Sequence, residues 1–182
     1  RTARFHVSSP RLLSSAGGSP IDTYVQVTGS QSTYNLGEVA PGAYQGLSFD
    51  VGVDSATNHG DPTLFPAAHP LSIFNSNQDH WSWNSGYVFL KIEGYVDTTA
   101  TMNGPMNKFF FFHMATDPLL TGVTLTRDFS IPSGTGHTFS IVIDWEKALA
   151  GVDLQRQSTQ TSDNFPLAQQ MMQNFVTGIT ID

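Results

Sequence analysis

Residues 79 to 94 read "DHWSWNSGYVFLKIEG", and they hold two of the chain's three tryptophans beside a histidine. His80, Trp81 and Trp83 fall within four positions, just before a clear strand pattern. Residues i and i+2 of a strand share a face, so Trp81 and Trp83 would form one aromatic patch. Such a patch has three readings: part of the core, a platform for stacking sugars, or one wall of a metal site. The other histidines are His6, His59, His69, His113 and His137. His6 lies in an opening strand and His137 beside a glycine-rich turn, both places where an imidazole is ordinarily structural. His69 precedes a proline. His59 sits in "NHGD", where Gly60 is expected to bend the backbone and turn the imidazole inward. His113 ends the apolar run "NKFFFFHMA".

Several chemistries are excluded. There is no cysteine, which removes disulfides, thiolate nucleophiles, zinc–thiolate sites and iron–sulfur clusters. No G-x-S-x-G elbow, phosphate-binding glycine loop, H-E-x-x-H or EF-hand loop is present. Glu93 and Glu146 show no glycosidase pairing. A net charge of −7 argues against nucleic acid, which needs a basic stripe. No run is apolar and long enough to span a membrane. The opening "RTARFHVSSP" has no signal-peptide pattern and fits a mature end after cleavage. A copper site built on an amino-terminal histidine would need His, not Arg1, at the first position.

The elements that must position these residues are mostly strands. Only 13% of the 182 residues are charged, and Gly, Ser, Thr, Asn and Phe are plentiful. Such a composition fits an all-β chain with many turns. "ARFHVSS" and "IDTYVQVTG" alternate about a Gly/Ser/Pro turn, and "YQGLSFDVGVD", "GYVFLKIEGYV", "GVTLTRDF" and "HTFSIVIDW" continue the pattern. "NKFFFFHMA" is nearly continuous, as in a strand covered on both faces. Residues 54 to 80 contain three prolines and no sustained period, which predicts a long irregular loop. "DWEKALAG" reads as a short helix ended by Gly151, and "NFPLAQQMMQNFVTG" as a helix capped by Asn164 with Pro166 in its first turn. The expectation is one domain over residues 1–182, an antiparallel β-sandwich with long loops and one or two short helices.

"HWSWNSGYVFLKIEG" resembles the W-x-W-x-x-G-Y-x-F signature of the MbnP-like family of secreted copper-binding proteins. "SFDVGVDSATNHGD", "FFFFHMAT" and "FSIVIDWEKAL" are similar, in order, to that family's N-H-x-D loop, its F-H-L-G strand and its closing strand and helix. The likeness runs from residue 45 to 150 and is strongest toward methanotroph copper-acquisition proteins. Many relatives carry four cysteines, which this chain lacks, and His80 stands where an apolar residue is common.

The resemblance implies a secreted or cell-surface protein that binds copper for acquisition and is not an enzyme. It implies a Cu(I) site of two histidines and a kynurenine made from tryptophan, with a di-haem enzyme as the oxidant partner. His113 carries over from the F-H-L-G motif. The second histidine is His59 or His80, and the modified residue is Trp81 or Trp83. Phe109, Phe110, Phe111 and Phe112 would give the site an apolar surround, with no obvious acid or base beside it. Asp54, Asp61 and Asp79 are oxygen donors suited to a structural Ca²⁺, although in the polar loop ordinary solvation is the default.

Overall fold

The computed structural model describes residues 2–74, 79–82, 84–160 and 164–182. Its axis is β1 (Thr2–Ser14). The first half of β1 pairs with β3 (Val25–Thr28) and β6 (Gly86–Val96). The second half pairs with β2 (Gly17–Pro20) and β4 (Gly42–Val51). Arg4 and Phe5 each face both β3 and β6, while Val7 faces both β3 and β4. Hence β6 and β4 follow one another along one edge of β1. β7 (Lys108–Ala115) extends the sheet from β6, and β8 (Thr121–Ile131) extends it from β4. The β6–β7 and β4–β8 leaves therefore share β1.

The handover lies at an irregularity between Ser8 and Arg11, where Ser9 has φ 53°. Pro10 falls there, so its missing N–H removes no ladder bond. This lets β1 run on through a segment whose Ser and Pro content reads as a turn; the chain reverses only at Gly17, φ 113°.

The all-β class is as expected, with several departures from the predicted detail. First, β10 (Thr159–Gln160) pairs with β7 in parallel, so the main sheet is not wholly antiparallel. Second, β7 is not covered on both faces. Phe110, Phe112 and Met114 are buried, but Phe109 is 45% exposed. An unbroken apolar run hides the alternation, because both faces carry phenylalanine. "HTFSIVIDW" yields only the short β9 (Ile141–Ile143), paired with β11 (Ile179–Ile181). "DWEKALAG" forms a 3-10 turn over Trp145–Leu149, followed by Gly151 at φ 77°.

α2 (Phe165–Thr177) follows the cap reading: the Asn164 side chain accepts the Leu167 N–H, and Pro166 occupies the first turn, where no N–H is needed. Leu167, Ala168, Met171, Met172 and Phe175 make its buried stripe. One hydrophobic cluster joins this stripe to residues of both leaves, including Phe5, Leu47, Phe89 and Phe112. Removing Phe112 to Ala should destabilise by about 3–5 kcal/mol, as for other buried aromatics.

Candidate metal centre

The β6–β7 register sets Lys91 opposite His113 and Glu93 opposite Phe111. Alternation then puts Phe109, Phe111 and His113 on the face away from Phe110, Phe112 and Met114. The expected apolar surround of four phenylalanines is thus halved: only Phe111 is in ring contact with His113, at 5.4 Å between centroids. The other neighbours of His113 are polar or aromatic. Its Nε2 lies 2.7 Å from Glu93 Oε1, and the Trp81 ring stands 5.6 Å away by centroid. Trp81 is 39% exposed, so this is a surface edge of the sheet rather than core.

Behind Glu93 runs a row of alternating charge. Lys91 Nζ lies 3.5 Å from Glu93 and 4.0 Å from Asp79. Asp79 accepts two bonds from the Arg4 guanidinium, at 2.7 and 2.5 Å, and a third from Gln26 at 2.8 Å. Asp79 is only 6% exposed, which corrects its reading as a solvated loop residue. Asp79 is the acid nearest the tryptophans in sequence, and the sheet brings a second one, Glu93, against His113. Burial alone would raise the Glu93 carboxyl, but the bond from His113, the Lys91 charge and a bond from Thr2 outweigh it and hold it below its ordinary value. Burial pushes the His113 imidazole below its ordinary value, against the pull of Glu93. The 2.7 Å contact fits a neutral imidazole that donates Nε2–H to the carboxylate.

His80 and Trp81 lie on β5 (His80–Ser82), which pairs with the start of β6. The His80 ring meets Tyr87 edge-on at 4.8 Å, and burial lowers its pKa. Tyr87 itself is pushed up to about 12, chiefly by burial, with its hydroxyl donating to Leu71 O. Trp83 lies outside the described residues.

His59 is the C-cap of α1 (Ser55–Asn58), a single turn started by the Asp54 side chain. Its imidazole does not turn inward as expected. Gly60 bonds back to Thr57 O, and His59 Nε2 faces both Asp117 oxygens at 3.2 Å with its side chain 44% exposed. Asp117 also accepts from Ser55 and Asn58, so it gathers the whole α1 turn. Hydrogen bonds from Ser55, Asn58 and His59 outweigh burial, which alone would raise it, and lower the Asp117 carboxyl.

The remaining histidines serve packing. His6 is buried between Val88 O and Gln26, His69 stacks on Phe65, and His137 stacks on Phe129. Of the proposed calcium donors, Asp54 binds Tyr24 and Thr57, Asp61 binds Thr63, and Asp79 binds Arg4. Among the described residues, no three His, Asp or Glu side chains converge as a metal-binding group.

A family model described as MbnP matches residues 1–169. The chain belongs to the MbnP family. One solved structure, MbnP from Methylosinus trichosporium, is 14% identical, with 90% of this chain and 70% of that chain covered and a TM-score of 0.48. No curated protein matches.

In this MbnP-family chain the signature segment supplies Trp81 directly beside His113, whereas the polar row beneath it escapes motif reading. Lys91 and Glu93 were visible as polar residues two apart in an otherwise apolar strand. That spacing marks one solvent-side stripe, and the stripe is what leads to Arg4, Asp79 and His113. No helix among the described residues is long and apolar enough to cross a membrane.

Proposed function

We propose that this MbnP-family protein binds one copper ion, held as Cu(I), through His113, a second imidazole and an aryl amine made by opening a tryptophan to kynurenine. The observation that carries the reading is the contact of Trp81 with His113, 5.6 Å between ring centroids, within the family's tryptophan signature. An intact indole is a poor ligand because its nitrogen lone pair belongs to the aromatic system. Opening the five-membered ring frees an aryl amine on the same scaffold. Two imidazoles and an aryl amine are neutral nitrogen donors, which suit Cu(I) and disfavour Mg²⁺ and Ca²⁺. The lowered pKa of His113 and of His80 keeps both imidazoles available as ligands at neutral pH.

The second imidazole is supplied by His59 or His80, and the opened ring by Trp81 or Trp83. The protein serves copper acquisition at the cell surface or after secretion, as a binder rather than a turnover enzyme, with a di-haem enzyme as oxidant of the tryptophan. Sugar stacking is the competing use of the same aromatic face. Tyr95, Phe109, Phe111, His113 and Trp81 follow in a row, but successive rings are tilted by 55°, 31°, 47° and 56°. A flat pyranose platform needs near-coplanar rings, so the tilt weighs against it.

The test is intact-mass measurement and peptide mapping of protein from its native host, with copper quantified on the same sample. Ring opening at one tryptophan and one copper per chain is the expected result. Copper-loaded protein with both indoles intact would remove the aryl amine, and sugar binding without copper would replace the reading.

A further inference from the structure

We infer that Glu93 is a positioning residue for the copper site: by accepting the Nε2 proton of His113 it fixes the tautomer whose Nδ1 lone pair is the copper-binding atom. This rests on the copper reading above. The geometry is that of a ligand histidine with its outer partner in place, a carboxylate on one ring nitrogen and the other nitrogen left for metal. The His113–Glu93 distance is 2.7 Å, with side chains only 14% and 21% exposed. Among the described residues, no hydrogen-bond partner lies on His113 Nδ1, and the Trp81 ring stands beside the imidazole.

Glu93 is itself held from two strands. Lys91, on its own strand, faces it at 3.5 Å, and His113 reaches it from β7. Arg4 and Asp79 continue the row, so two cations and two anions balance around the site. A purely structural buried histidine looks different. His6 places Nδ1 on Val88 O at 2.9 Å and Nε2 on the Gln26 amide at 3.3 Å, engaging both nitrogens. Its bond to a carbonyl demands the Nδ1–H tautomer, the opposite of the one Glu93 imposes on His113.

This contrast supplies an internal control. Native protein would be labelled with ¹⁵N, stripped of metal, and its histidine ring nitrogens assigned at neutral pH. His113 is expected to show a protonated, pyrrole-type Nε2 and a pyridine-type Nδ1, and His6 the reverse. Adding Cu(I) from a chelator buffer should move His113 Nδ1 and leave both His6 nitrogens in place. Glu93→Ala should mix the His113 tautomers and weaken Cu(I) binding by about 10–100-fold, the range for outer-partner changes. Glu93→Gln, which keeps an acceptor oxygen and the side-chain volume, should retain the tautomer with a smaller loss and serves if the alanine variant does not fold. A wild-type Nδ1–H tautomer, or Cu(I) bound through Nε2, overturns the positioning role while leaving His113 a ligand. Cu(I) that moves neither nitrogen of His113 overturns the positioning role and the copper reading together.

Discussion

His113 and His59 each present Nε2 to a carboxylate, yet the two pairs are built differently. His113 meets Glu93 at 2.7 Å, between strands whose registry is fixed over most of their length. His59 meets Asp117 at 3.2 Å, between the end of a one-turn helix and a 3-10 turn, with side chains 44% and 33% exposed. A short bond shielded from water holds a ring against reorientation, whereas a long, exposed one is shared with solvent. The comparison teaches that one histidine is fixed by the sheet, while the other is held by a local, partly exposed turn.

The largest expected effect breaks the two apart directly. On the proposed reading, His113→Ala should weaken copper binding by more than the roughly 100-fold upper range of an outer-partner change, because it would remove a ligand rather than its support. His59→Ala and His80→Ala, made separately, should divide: one should match His113→Ala and the other leave copper affinity near wild type. His137→Ala, on the Phe129 stack, should leave copper unaffected. Competition with a Cu(I) chelator measures all four. Full copper occupancy in the His113 variant would remove it from the site.

The next effect concerns what stands behind each pair. Asp79→Ala removes the buried carboxylate that the Arg4 guanidinium and the Gln26 amide both bond. Breaking a buried ion pair by removing one member costs about 3–5 kcal/mol. Asp117→Ala removes hydrogen bonds to Ser55, Asn58 and His59, but in a partly exposed turn, and should cost about 1 kcal/mol. Urea unfolding followed by fluorescence compares them. Equal losses would mean that the polar row behind His113 is no more structural than the turn around His59.

How much of this was legible depends on sequence distance. β6 and the capped start of α2 are local, written in alternation and in Asn164–Phe165–Pro166. The signature brought attention to Trp81, and the F-H motif to His113. Arg4 and Asp79 are 75 residues apart, and nothing in either local pattern announces the other. Glu93 and His113 become neighbours only through the β6–β7 register, and β10 is a two-residue strand whose parallel partner lies far upstream. The inward turn expected of His59 failed for a related reason. Gly60 permits bending, but Asp117, which receives the imidazole, enters from another element.

A third expectation follows acidification. His6 has its pKa lowered, chiefly by burial, from an ordinary value of 6.5. A depressed pKa means the unfolded chain binds more protons, so the contribution is fully present above that ordinary value and fades as pH falls below it toward the folded-state value. Thermal midpoints should drop on going from pH 7 to pH 5. His6→Asn, whose amide can keep the bond to Val88 O without titrating, should flatten that slope. An unchanged slope would place the acid sensitivity elsewhere, with His69, His80 and His113, whose pKa values burial also lowers, as further sources.

The smallest expected effect lies at the His59–Asp117 pair itself. His59→Leu removes an exposed contact of 3.2 Å and leaves the Asp117 bonds to Ser55 and Asn58 intact, so α1 keeps its tie to the turn after β7. Exposed pairs are worth about 0–1 kcal/mol, and the change in stability should fall within that range. His113→Leu, by contrast, loses a shielded bond to a charged carboxylate, a class worth about 1.5–3 kcal/mol. The difference between the two variants in metal-free protein measures how firmly each imidazole is held. A His59→Leu loss as large as that of His113→Leu would show that the α1 turn is as rigid as the sheet, and that both ring orientations are set in advance.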